Sequence, residues 1–172
     1  QVCEHRNGEH EERADVPSSR HGGWQQHQGR RIDRHLAGFA LQSHYTSTAE
    51  RAQVVSALAP GVDVLGTLTL NWAVGGMNAL AVEIAAREGA RIVWMPTVDS
   101  PAETAGRDEP KEGDKVPQWA RLQHELRGLG LSIEAVHVTD IEGRLLPAAR
   151  DVLRAIARND LVLATGHLSR DD

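Results

Sequence analysis

The chain has 172 residues, of which 40% are hydrophobic, and it carries a formal net charge of −5. This length allows one domain with its own core, and the negative charge argues against a nucleic-acid-binding protein, which usually has a basic surface. The sequence has no apolar run of 18 residues, which argues against a membrane span, and its single cysteine, Cys3, excludes an internal disulfide and predicts a reducing, cytoplasmic location.

The first 35 residues differ in composition from the rest of the chain. They contain five of the nine histidines but only six hydrophobic residues, and no helical or strand period runs through them. Such a segment cannot bury enough apolar surface to offset the entropy lost on ordering. We therefore predict a disordered arm at residues 1–35 and a folded domain at residues 36–172. A weakly metal-binding arm is the alternative interpretation.

From residue 36 onward, strand-like and helix-like segments alternate. Apolar runs of strand length lie at residues 38–44, 62–70, 90–97, 131–138 and 160–166. Helices are predicted after a Ser47–Glu50 capping box, after Asn78, and from Pro117 and Pro147. This alternation predicts an α/β fold in which βαβ units form a parallel sheet of about five strands. The predicted inward helix faces carry Leu80, Ala81, Ile84 and Ala85, then Leu122 and Leu126, then Ala149, Val152, Leu153 and Ile156.

Candidate site residues stand at the carboxyl ends of the predicted strands, where parallel α/β sheets gather their functional loops. These positions hold His44, Asn71, Thr97 and His167. Because neutral imidazole is a common ligand for zinc, His44 and His167 together predict a site for a divalent metal. Each histidine alone is more typical of a hydrogen-bonded structural residue. Asn71 is predicted either to contact a substrate or to hold a loop.

Two further segments allow more than one interpretation. The polar segment 98–116, with Asp99, is predicted to be a solvated insertion, with a lid as the alternative. The glycines of residues 73–78 predict a tight turn, with an anion cradle at the following helix as the alternative. No GxSxG motif is present, and no cysteine lies outside the arm. Acyl transfer through a covalent intermediate is therefore not expected.

Three long stretches carry a family resemblance: GFALQSHYTSTAERA, GTLTLNWAVGGMNALAVEIAAREGARIVWMPT and DIEGRLLPAARDVLRAIARNDLVLATGHLS. They resemble an uncharacterised bacterial family related to the amidohydrolases, from about residue 37 to the end. The resemblance implies a metal-dependent hydrolase on a TIM-like barrel that acts on a C–N or ester bond of a small-molecule substrate. It also implies that His44 and His167 bind the metal, zinc being the expected ion, with Asn71 nearby. It identifies no catalytic residue.

The sequence departs from the pattern of that family in two ways. No H-x-H pair follows a first strand, and the chain stops after the G-H-L-S element at residues 166–169. A (β/α)₈ barrel typically needs about 250 residues and eight strands. We therefore expect a partial barrel, truncated at both ends, whose unclosed sheet edges favour self-association. The alternative function is a non-catalytic α/β module, or a truncated gene product that needs a partner chain.

Overall fold

In the computed structural model, residues 37–105, 117–131 and 134–170 are described, and the predicted arm lies outside these ranges. The described residues form an α/β structure. Its strands are β1 (Gly38–Leu41), β2 (Asp63–Thr69), β3 (Ala90–Trp94) and β4 (Val162–Ala164). Its α-helices are α1 (Ala49–Leu58), α2 (Ala79–Arg87), α3 (Pro101–Ala105), α4 (Gln118–Gly128) and α5 (Pro147–Arg158), and a 3₁₀ turn covers Trp72–Val74.

The four strands form one parallel sheet in the order β1-β2-β3-β4. Phe39 pairs with Val64, and Ile92 lies between Thr67 and Val162, so every strand is hydrogen-bonded to its neighbour along the chain. The prediction of a parallel α/β sheet is confirmed. The sheet is open, with β1 and β4 as its edges, and within the described ranges no helix is both long and apolar enough to cross a bilayer.

The predicted strand at residues 131–138 is wrong. Residues 132 and 133 lie outside the description, and residues 134–138 are not part of the sheet. β4 takes the place beside β3, where the Met95 amide continues the ladder by donating to Ala164 at 2.8 Å. Val136 is buried instead beside the loop after β3, where its amide donates to the Asp99 carbonyl at 2.7 Å. Val136 and Val138 are thus buried without joining the sheet, which has four strands within the described residues where about five were predicted.

Helix burial agrees with the sequence for α5 and only in part for α2 and α4. In α5, Ala149, Val152 and Ile156 are buried as predicted. In α2, Leu80 and Ile84 are 67% and 48% exposed. Ala85 is buried as predicted, together with Val82, and these two lie nearly opposite Leu80 and Ile84 at 100° per residue. The small residues therefore face the core. In α4, Gln123 is buried while Leu122 is 36% exposed.

The start of α1 is fixed by hydrogen bonds to the sheet rather than by the predicted capping box. Thr48 is the N-cap residue, and its side chain does not cap the helix. Its hydroxyl donates to the Leu41 carbonyl at 2.5 Å and accepts from the Thr67 amide at 2.7 Å. Thr48 therefore connects the ends of β1 and β2. The short loop between β1 and α1, which contains His44, is held at the carboxyl end of the sheet.

Candidate functional site

The two predicted histidines lie together at the carboxyl ends of the strands. His44 comes three residues after the end of β1, and His167 three residues after the end of β4. Their ring centroids are 6.4 Å apart, and the ring planes meet at 70°. Three strand spacings of a flat sheet would amount to about 14 Å. The loops after the two edge strands therefore converge over the ends of β2 and β3.

Asn71, two residues after the end of β2, joins three of these loops. Its Nδ2 donates to the His44 carbonyl at 2.9 Å and to Thr97 Oγ1 at 2.8 Å. Its Oδ1 accepts from the amides of Thr97 at 2.9 Å and Asp99 at 3.3 Å. The residue is 0% exposed, and both donors and both acceptor positions of its amide are used. This geometry supports the loop-holding interpretation of Asn71, because no amide atom is left for a substrate.

His44 is half-buried beside Thr97. Its Nδ1 lies 2.9 Å from Thr97 Oγ1, so the ring is held by a residue that Asn71 also holds. Burial lowers the pKa of His44 below its usual 6.5, because removal from water penalises the charged ring. The neighbouring His167 lowers this pKa further, while Asp99 opposes the shift. The burial of His44 thus favours its neutral imidazole, the form that can bind a metal.

His167 is positioned by a turn that requires glycine. Gly166 has φ +63°, and a Cβ there would lie 2.3 Å from the Met95 carbonyl oxygen and 2.5 Å from that of Pro96. The turn lets the His167 amide donate to the Pro96 carbonyl at 2.9 Å. Glu103, on α3, places Oε1 2.9 Å from His167 Nδ1, although the N–H direction is not aligned for a full hydrogen bond. This contact is more open than that of His44, with side-chain exposures of 39% for His167 and 34% for Glu103.

The segment after β3 is a buried connection where the sequence predicted a solvated insertion. Val98 and Ser100 are fully buried and Asp99 is 3% exposed, while residues 106–116 lie outside the description. Asp99 Oδ2 accepts from the Trp72 amide and Oδ1 from Gln123 Nε2, both at 2.9 Å. The insertion interpretation is wrong for residues 98–100, because these hydrogen bonds replace water around the carboxylate. Asp99 connects the β2 loop to α4.

Sequence reasoning noted Thr97 at a strand end without giving it a role, and it missed Glu103. The position of Thr97, directly behind an apolar run, was a usable signal. No comparable signal marks Glu103, because it is one of several acidic residues in a polar segment. The tight-turn interpretation of residues 73–78 is confirmed. Gly75 and Gly76 have φ of +89° and +64°, and Asn78 Oδ1 caps α2 by accepting from the Ala81 amide.

The two histidines offer ligand atoms that suit a divalent ion, but their rings are farther apart than two rings that share one ion. Each Nδ1 faces a protein oxygen, which leaves Nε2 for a metal, and such partners usually orient metal-binding histidines. Two imidazoles on one tetrahedral zinc have centroids roughly 5 Å apart, so these rings would have to approach by about 1 Å. Within the described ranges, no group of three or more His, Cys, Asp or Glu residues is placed to hold a metal.

Residues 23–172 match the sequence profile of a family described as "Family of unknown function (DUF6282)". The match covers the described structure and begins inside the predicted arm. The family description gives no activity. No curated protein and no solved structure matches the chain.

Proposed function

The chain belongs to this family of unknown function, and from the geometry of its site we propose that it is a metal-dependent hydrolase of the amidohydrolase type, acting on a C–N or ester bond. The observation that carries the proposal is the convergence of His44 and His167 at the carboxyl ends of parallel strands. We propose further that the substrate is a small molecule, that the ion is divalent, with zinc as the expected one, and that the protein is cytoplasmic.

The strand order supports an incomplete TIM-like barrel as the fold type. Parallel strands that pair strictly in chain order are what a (β/α)₈ barrel requires. A doubly wound sheet instead reverses its strand order and binds ligands at the reversal. The four strands here show no reversal, and the loops after the two edge strands bend toward each other. Curvature toward a barrel would produce both features.

Each protein group has a defined part in this proposal. Nε2 of His44 and of His167 would hold the ion, while Thr97 and Glu103 orient the two rings through Nδ1. A bound divalent ion would supply a Lewis acid for a carbonyl oxygen and lower the pKa of water. In this proposal Asn71 positions the His44 loop from within the protein, and its amide has no atom left to contact a substrate.

Metal binding by purified protein tests the proposal. We expect about one zinc or cobalt ion per chain after dialysis and elemental analysis, and a loss of that metal in His44→Ala and His167→Ala. His124→Ala is the matched control, because His124 is exposed on α4 and should leave the metal content unchanged. Substoichiometric metal, or metal retained equally in all three variants, would contradict the proposal.

A second candidate is a non-catalytic α/β module that pairs with a second copy of this chain. The open edge strand β4 favours it, because Val162 and Leu163 are 60% and 42% exposed there. Apolar side chains on an unpaired strand edge promote association. Val162→Lys should convert a dimer to a monomer in sedimentation experiments, whereas Val54→Lys, on exposed α1, should not. A wild-type chain that sediments as a monomer would exclude this candidate.

A further inference from the structure

The amide of Asn71 sets the direction of a hydrogen-bond chain that ends at His44. The backbone amides of Thr97 and Asp99 can only donate, so the side-chain atom they face must be Oδ1. Nδ2, which can only donate, therefore faces the His44 carbonyl and Thr97 Oγ1. The hydroxyl oxygen of Thr97 thus accepts a proton from Asn71.

The proton of the Thr97 hydroxyl then has one acceptor among the residues that the structure describes. Thr97 is 0% exposed, and its hydroxyl contacts Asn71 Nδ2, a donor, and His44 Nδ1. A buried hydroxyl without an acceptor costs about 1–3 kcal/mol. The proton therefore points at Nδ1 of His44, and a neutral ring that accepts at Nδ1 carries its own proton on Nε2.

His167 has the opposite arrangement because its partner is a carboxylate. An ionised carboxylate only accepts, so Nδ1 of His167, 2.9 Å from Glu103 Oε1, carries the proton. The N–H direction is not aligned for a full hydrogen bond, but a proton on Nδ1 is attracted to a carboxylate oxygen 2.9 Å away, whereas a lone pair in its place is repelled. The neutral ring of His167 is then left with a lone pair on Nε2.

We infer that the two imidazoles are held in opposite tautomers, so that His44 Nε2–H and His167 Nε2 present one donor and one acceptor to a single water molecule. The ring spacing agrees with this arrangement. Two imidazoles hydrogen-bonded at about 2.8 Å to one tetrahedral water have centroids roughly 6.5 Å apart. The observed 6.4 Å is closer to this value than to the spacing of a shared zinc ion.

Such a water would have a fixed orientation. It accepts a hydrogen bond from His44 and donates one of its own protons to His167, the group able to take that proton if the oxygen attacks a substrate. The inference concerns the metal-free protein and does not depend on the proposed hydrolase. An ion shared by both rings would need His44 in the other tautomer, which leaves the Thr97 hydroxyl proton without its acceptor. The tautomer argument therefore counts against the shared ion, and the metal content and the ring tautomers test the two ideas separately.

The tautomers can be read from the ¹⁵N resonances of the imidazoles. The experiment uses full-length ¹⁵N-labelled protein with a chelator at about pH 8, where an ordinary imidazole is neutral. We expect His44 as the Nε2–H form and His167 as the Nδ1–H form. Since a free imidazole prefers the Nε2–H form, Glu103→Ala should switch His167 to it and leave His44 unchanged. Glu125→Ala, at an exposed position on α4, should change neither ring.

Thr97 is tested as a positioning residue in the same spectra. Thr97→Val should remove the hydrogen-bond shift of the His44 Nδ1 resonance, and Thr97→Ser should retain it. A crystal structure of the metal-free protein should show a water within hydrogen-bond distance of both Nε2 atoms. His44 in the Nδ1–H form, His167 in the Nε2–H form in the unmodified protein, or no such water would each overturn the inference, whatever the metal content proves to be.

Discussion

The two sides of the site are built in different ways. On the His44 side, Thr97 and Asn71 are fully buried, and the Asn71 amide has no hydrogen-bonding position left. On the His167 side, a glycine turn sets the backbone, and a partly exposed Glu103 contacts the ring. A buried network with every group paired holds one geometry, because each broken hydrogen bond leaves an unsatisfied group. The His44 side is therefore the rigid reference, and the His167 side can adjust.

Removal of the Asn71 amide should have the largest effect on stability. Asn71→Ala deprives the buried amides of Thr97 and Asp99 of their acceptor and the His44 carbonyl of its donor. Each buried group left unsatisfied costs about 1–3 kcal/mol. We expect the free energy of unfolding, measured by urea denaturation, to fall by at least about 3 kcal/mol.

Asn159→Ala is the matched control for this variant. Asn159 is a partly buried asparagine whose side chain donates to the Ala155 carbonyl at the end of α5, away from the histidines. Its loss should cost about 1 kcal/mol. If the two variants were equally stable, the view of the His44 side as a rigid network would be wrong.

Gly166→Ala should have the next largest effect, and it should act on the His167 side. Alanine at φ +63° costs about 1–2 kcal/mol in backbone strain. Its Cβ would also meet the carbonyl oxygens of Met95 and Pro96, which cannot move without disturbing β3. We expect a stability loss of about 2–4 kcal/mol. The His167 resonances should shift, while the contact between His44 and Thr97 persists.

Gly143→Ala separates the two causes. Gly143 has φ +73° in an open turn, and a Cβ there would meet nothing within 4 Å. This variant should therefore show the backbone strain alone, about 1–2 kcal/mol in the same denaturation experiment. Equal losses for the two glycine variants would mean that the close approach of Gly166 to the Met95 and Pro96 carbonyls does not matter.

The same contrast explains which features the sequence could predict. His44 and His167 were predictable because a parallel sheet brings strand ends to one edge, whatever the details of packing. The inward side of α2 was predicted only in part, because Ala85 is buried as expected but the large residues Leu80 and Ile84 are exposed. The apolar pattern of residues 131–138 fits a strand as well as it fits the buried non-strand segment that the structure shows.

Contacts that depend on tertiary placement left no trace in the sequence. Glu103 reaches His167 only because α3 forms, and the buried role of Asp99 depends on Trp72 and Gln123 from two other segments. Spacing along the chain carries no information about these contacts. They nevertheless decide which nitrogen of each ring faces the protein. The sequence predicted that the two histidines come together, and tertiary hydrogen bonds set how each ring is held.

The smallest expected effect is a pH dependence from His44. Its pKa in the folded chain is lowered, mainly by burial and then by the neighbouring His167, so the unfolded chain binds a proton first as the pH falls. The stability from this histidine is therefore fully present above about pH 6.5 and decreases as the pH falls through 6.5 toward the folded pKa.

Unfolding experiments on metal-free wild type and His44→Gln should show a steeper loss of stability below pH 6.5 for the wild type. His124→Gln, exposed on α4, should keep the wild-type slope. If His44→Gln kept it as well, the ring would not be desolvated, and the His44 side would be as open as the His167 side.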